Sequence, residues 1–218
     1  MTILSPAYLF QYRLSVGEVA EQDVSSGDFE LPERCRLPFL RELENEKPFA
    51  DVRLGWSHAG MALTVDVTGK KHPATTEVDR PLESDWIRIW WDTRYSATVH
   101  RANRLCQSLY LFPAGGGKKK ADPYVQPAPI VMSREPSLPI PVKSIRLGVR
   151  PLKQGYHLSA WLPAAAIPSY EPETHPQLGF YYQVHDLEKG DQYLSVGEDF
   201  PFAHDPSLWV LLDLNPEK

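Results

Sequence analysis

Residues 84–94 read SDWIRIWWDTR. Apolar side chains alternate along this stretch, and alternation at a period of two marks a strand with one buried face. Ile87, Ile89 and Trp91 fall on one face as an ordinary core row, while Trp86, Arg88 and Trp90 fall on the other. A second face with two indoles and a guanidinium has two readings. In one, another part of the chain covers it and Arg88 stacks between the indoles, as the high average burial of tryptophan favours. In the other it is a platform, because sugars offer C–H faces that stack on indole and hydroxyls that accept from guanidinium.

The same period recurs outward from this stretch. ADVRLGWS (50–57) places Val52, Leu54 and Trp56 on one side, and GMALTVDVTG (60–69) does the same with Met61, Leu63, Val65 and Val67. His58-Ala59-Gly60 joins these two as a hairpin. Further strands are predicted in AYLFQYRLSV (7–16), RLCQSLYLFP (104–113), LGFYYQVHDL (178–187), DQYLSVGE (191–198) and SLWVLLDL (207–214). KSIRLGVRP (143–151) and GYHLSAWLP (155–163) read as a second hairpin across Leu152–Gln154. About ten short strands separated by turn signals predict an all-β fold, a sandwich or a barrel. Little helix is expected: Leu37, Leu40 and Leu43 have helical spacing in LPFLRELENEK (37–47), and Pro163–Ile167 suits a single turn. Residues 113–141, PAGGGKKKADPYVQPAPIVMSREPSLPIP, carry seven prolines and three consecutive glycines. Proline removes ladder donors, so this is a long excursion between strands and no central strand. LSVGE occurs at 14–18 and again at 194–198, which reads as two similar strand ends.

The chain has 218 residues, 42% of them apolar and 23% charged, a globular composition that a single β-sandwich domain over 1–218 accommodates. A net charge of −5 argues against nucleic acid, and Lys118-Lys119-Lys120 is too short a basic run to reverse that. Cys35 and Cys106 make no disulfide scaffold and suit a reduced compartment. The N-terminal residues show no cationic leader before an apolar stretch, and no run of about 18 apolar residues exists. The expectation is a cytoplasmic chain without a membrane span.

Three stretches together resemble a known family: ADVRLGWSHAGMALTVDVTG, SDWIRIWWDTR, and GYHLSAWLPAAAI followed by LGFYYQVHDLE. Their order resembles the family 9 carbohydrate-binding modules and the related DOMON-like sandwich domains, over roughly residues 50–213. The resemblance implies a β-sandwich of two antiparallel sheets, for which a jelly-roll-like topology is expected, and a non-catalytic role in binding sugar, at a site where aromatic residues clamp the ring. The chain departs from that pattern where the family often has an acidic residue in the strand; Ser159 and Ala160 stand there. Related sandwich domains bind haem through Met and His, but no spacing singles out Met61, Met132 or any of the seven histidines.

Sorting the later strands by alternation gives core rows Leu178, Phe180, Tyr182, Val184 and Tyr156, Leu158, Ala160, Leu162. Tyr181, Gln183, His185 and His157, Ser159, Trp161 remain for the opposite faces. If these strands neighbour the Trp86–Trp90 strand, one sheet face gathers aromatic walls and fixed polar groups, a mixture suited to a small polar ligand. The predicted saccharide site is therefore Trp86, Arg88, Trp90, Trp161, Tyr181, Gln183 and His185. In HDLEKGDQY (185–193), Asp186, Glu188 and Asp191 surround Gly190 and could offer oxygens to calcium. The spacing is not that of an EF-hand, and a charged hairpin turn explains it as well. No nucleophile elbow, zinc-protease or phosphate-loop motif is present, so a binding protein is expected, not an enzyme. The alternative is an intracellular structural or protein-interaction sandwich domain that binds no sugar.

Overall fold

The computed structural model describes residues 6–214. Its strands are β1 (Arg13–Ser15), β2 (Gly17–Glu18), β3 (Ala50–Ser57), β4 (Gly60–Thr68), β5 (Trp86–Asp92), β6 (Cys106–Gly116), β7 (Asp122–Pro127), β8 (Arg146–Leu152), β9 (Gly155–Pro163), β10 (Gln177–Asp186), β11 (Gly190–Tyr193) and β12 (Val210–Asp213). The one α-helical turn among the described residues is α1 (Glu21–Val24). Two sheets form. One runs β1-β12-β10-β5-β6-β7, with β11 also on β10; the other runs β2-β3-β4-β9-β8. The all-β class read from alternation and the two-sheet sandwich implied by the resemblance are both observed.

The inward faces carry the predicted rows. Ile87, Ile89 and Trp91 of β5 and Phe180, Tyr182 and Val184 of β10 meet Leu54 and Trp56 of β3, Leu63 and Val65 of β4 and Leu158 and Leu162 of β9 in one buried cluster. Burying a Leu, Val or Phe side chain contributes about 1.5–3 kcal/mol, so this interior is the main favourable term. Gln192 of β11 links the two layers. Its Oε1 accepts from the backbone N–H groups of Phe49 and Ala50, both at 2.9 Å, and its Nε2 donates to the Ala50 carbonyl. The predicted hairpins exist, and glycine is needed in both. At Gly155 (φ 143°) a Cβ would stand 1.8 Å from the Val67 carbonyl oxygen, and at Gly60 (φ 150°) 2.2 Å from that of Leu162.

Four expectations are corrected. The sheets are mixed, not purely antiparallel: β1 runs parallel to β12, and β2 parallel to β3. The first LSVGE explains this, because Leu14-Ser15 lie in one sheet and Gly17-Glu18 in the other, so one short segment crosses between edges without a hairpin. Secondly, the strand predicted over 7–16 pairs only at 13–15, after a 3-10 turn at Pro6–Leu9. Thirdly, the helical spacing in 37–47 yields one 3-10 turn, Glu42–Glu44. The segment is too short to hold a helix alone, and Arg41 is drawn away to donate to the Ser195 carbonyl at 3.1 Å. Lastly, the excursion 113–141 begins as sheet. β6 extends to Gly116, and β7 pairs with it as the edge strand, the position in which Pro123 and Pro127 need no donor.

Candidate functional site

On the face of the larger sheet that points away from the core, register builds three rows. β10 pairs with β5 so that Tyr181 faces Trp90, Gln183 faces Arg88, and His185 faces Trp86. β6 adds Ser108 opposite Trp90 and Tyr110 opposite Arg88. β7 adds Gln126 beside Tyr110, and β11 adds Tyr193 beside Gln183 and Asp191 beside His185. The middle row is thus Gln126, Tyr110, Arg88, Gln183, Tyr193, five hydrogen-bonding side chains across five strands. Cross-strand neighbours have Cβ atoms about 5 Å apart, close enough for one small ligand to touch several.

Arg88 is the centre of this row. Its Nε donates to Ser108 Oγ (2.9 Å), one Nη to Tyr110 Oη (3.2 Å) and the other to the Pro129 carbonyl (3.3 Å). The guanidinium carbon lies 4.4 Å from the Trp90 ring centre and 4.8 Å from that of Tyr110. On the far side, Asp191 Oδ1 accepts from Gln183 Nε2 at 2.8 Å and lies 2.9 Å from His185 Nδ1. The hydrogen bond to Asp191 raises the His185 pKa against the opposing effect of burial. Burial alone would raise Asp191, but the bonds from His185 and Gln183 outweigh it and lower it. The two form an ion pair whenever both are charged.

The rows on either side frame this polar strip. Trp86 stacks on His185 at 4.9 Å, meets the edge of Tyr110 at 5.1 Å, and donates its indole N–H to the Pro81 carbonyl at 2.8 Å. Phe202 closes the other side, stacked on Tyr181 at 4.6 Å and edge-on to Trp90 at 5.6 Å, while Tyr181 Oη donates to the Val196 carbonyl. Arg88, Tyr110, Gln126, His185 and Asp191 remain half-buried and reachable. Ser108 and Pro129 also line a groove of about 440 Å³ formed by residues 127–140, so the Pro-rich excursion borders Arg88.

The predicted site residues separate accordingly. Trp86, Arg88, Trp90, Tyr181, Gln183 and His185 do share one face, and the assumed adjacency of their strands is real. The indole platform is not: Trp86 is 6% exposed, and Trp90 and Tyr181 are 0% exposed. Trp161 lies in the other sheet, buried with Val19, Val24, Phe29 and Leu31. The carboxylate set predicted for calcium is also redirected. Asp186 is buried and takes the Lys70 ammonium, Glu188 accepts from the N–H groups of Lys71 and His72, and Asp191 is held by His185 and Gln183. Among the described residues no group of three His, Cys, Asp or Glu side chains is placed to hold a metal ion. Tyr110, Ser108, Gln126 and Tyr193 escaped the sequence reading. Alternation in RLCQSLYLFP already put Ser108 and Tyr110 on one face, but nothing local said which strand lay beside it.

Burial and the neighbouring Asp92 push the Cys106 thiol up to about 12. Cys35 is buried in a separate cluster, and no disulfide joins the two. No helix among the described residues is long and apolar enough to cross a membrane.

Comparison with solved structures finds the same fold in carbohydrate-binding proteins. A family 9 carbohydrate-binding module from Caldicellulosiruptor kristjanssonii in complex with cellotriose matches with a TM-score of 0.64 at 12% identity, over 94% of this chain and 95% of that one. The same module with glucose gives a TM-score of 0.62 at 12% identity, covering 94% and 97%. A putative carbohydrate-binding protein from Bacteroides uniformis gives a TM-score of 0.57, also at 12% identity, covering 94% and 99%. No protein-family model matches the chain, and neither does any curated protein.

Proposed function

We propose that this protein is a non-catalytic saccharide-binding module whose ligand lies along the strip Tyr110–Arg88–Gln183–His185–Asp191. The observation that carries this reading is the middle row itself. It is an unbroken line of hydrogen-bonding side chains crossing five strands, on a sandwich that has the fold of family 9 carbohydrate-binding modules. Fold alone does not carry function; the row supplies several donors and acceptors within reach of one small ligand, and Tyr110 supplies a partly exposed aromatic surface. The buried indoles serve this site from beneath, fixing Arg88 in place instead of stacking on the ligand.

A glycan array followed by calorimetry with glucose and cellotriose, with and without calcium, tests the reading. Binding that falls at least tenfold in folded Gln183→Ala and Tyr110→Ala variants supports it. The absence of binding to every saccharide on the array overturns it. A second reading, an interaction domain without sugar binding, draws on the consecutive residues Tyr8, Leu9 and Phe10, which are 46%, 64% and 58% exposed. Concentration-dependent self-association that Phe10→Ser abolishes, with no saccharide bound, would move the assignment there.

A further inference from the structure

Among the described residues, every lysine and arginine sheltered from solvent but one has an anion. Arg41 holds Glu44 and Glu46, Arg53 holds Glu33 and Asp51, Arg94 holds Glu171, and Arg150 holds Glu30. The buried Lys70 sits between Asp85 and Asp186. The remaining arginines without a carboxylate, namely Arg34, Arg101, Arg104, Arg134 and Arg146, are all exposed, where water solvates the charge. Arg88 is neither exposed nor ion-paired. Its three hydrogen-bond acceptors are all neutral, and two aromatic rings flank it. The carboxylate beside His185 on the same face, Asp191, is held by His185 and Gln183. Burial lowers the Arg88 pKa, and only the Tyr110 phenol acts against that.

A guanidinium drawn out of water without a counter-ion favours any anion that reaches it, because charge–charge attraction strengthens where solvent is thin. Arg88 also has donors left. Of the five N–H bonds of a guanidinium, three are used, which leaves one on each Nη. Two N–H groups on the two ends of a planar fork match the two oxygens of a carboxylate better than a lone hydroxyl.

From this we infer that the ligand is an acidic saccharide, with the carboxylate of a uronate residue seated on Arg88 and its hydroxyls on Gln183 and Asp191. The inference depends on the saccharide-binding reading above and narrows its ligand class. Calorimetry should compare glucuronate with glucose, and galacturonate with galactose, at low and high salt, on wild type and on Arg88→Gln and Arg88→Lys variants whose folding is checked by circular dichroism. The expected result is at least tenfold tighter binding of each acid than of its neutral counterpart. That preference should shrink as salt rises, disappear in Arg88→Gln, and survive in part in Arg88→Lys, which keeps the charge but loses the fork. Should Arg88→Gln fail to fold, the methyl ester of glucuronate on the wild type replaces it, and it should bind no better than glucose. Equal or tighter binding of the neutral sugars to wild type overturns the acidic ligand while leaving the saccharide module standing. No binding of either class overturns the module itself.

Discussion

The outer faces of the two sheets start from the same kind of strand and end differently. β5 offers Trp86, Arg88 and Trp90 to its outer face, and β9 offers His157, Ser159 and Trp161 to its own. Each is an indole beside polar groups, and alternation alone cannot separate them. On the smaller sheet the segment 19–35 lies across the face. Val19, Val24, Phe29 and Leu31 bury Trp161, His157 Nε2 lies 2.9 Å from the Phe29 carbonyl, and Ser159 Oγ donates to the Gly27 carbonyl at 2.7 Å. On the larger sheet the covering segments stop short. Pro81 reaches Trp86, Phe202 reaches Trp90, and Pro129 reaches Arg88, but Arg88, Tyr110, His185 and Asp191 between them stay partly exposed. A polar residue on a strand is structural where the chain returns to satisfy it and becomes available to a ligand where the chain does not.

Perturbing the closed face should cost the most. Trp161→Ala removes a fully packed indole and leaves a cavity, with an expected loss of about 4 kcal/mol in urea denaturation; a loss below about 1 kcal/mol would mean that the segment 19–35 is not a real cover. Next is the frame of the open face. Lys70 is sunk between Asp85 and Asp186, and these carboxylates raise its pKa against the effect of burial. Lys70→Met leaves two buried carboxylates without their cation and should lower stability by about 3 kcal/mol. It should also loosen the stretch 75–85 over Trp86, readable as faster amide exchange at Thr75 and Leu187, both of which donate to Asp85.

A smaller effect is expected at Gly148, where an added Cβ would stand 2.4 Å from the Gly27 carbonyl oxygen and 2.8 Å from Ser159 Oγ. Gly148→Ala should destabilise by about 2 kcal/mol through this backbone clash, and should leave saccharide binding unchanged because it acts on the other sheet. The smallest effect belongs to the open face itself. The His185 pKa is raised in the folded protein, so its pairing with Asp191 contributes fully below the ordinary imidazole value of 6.5 and is lost as pH rises through the higher native value. The Asp191 pKa is lowered, so its share is present above the ordinary 3.8 and is lost as pH falls through the native value. The stability difference between wild type and His185→Gln should therefore peak between these limits. It should stay below about 1 kcal/mol, since the pair is half-exposed. A difference that grows above pH 8 would contradict the pairing.

Local pattern made much of this molecule legible. Alternation located β3, β4 and β9 to within a residue and sorted their core rows, because a period of two follows from strand geometry and burial on one side. The same logic put Trp86, Arg88 and Trp90 on a common face, with Tyr181, Gln183 and His185 on another. It could not exclude Trp161, could not find Tyr110 or Tyr193, and did not foresee that Asp191 is held by His185 and Gln183. Each of these depends on which strand or segment lies alongside, which the period of one strand does not state.

The sequence by itself determined the strands, the all-β class and the division of each strand into an inward and an outward row, since those follow from covalent geometry and the hydrophobic effect acting over a few residues. Only the tertiary structure decided which outward row is covered. Register set Gln183 against Arg88, and segments far away in the chain closed over Trp161 while leaving Arg88 without an anion. Those contacts depend on loop paths and long-range pairing, which the period of a strand does not encode.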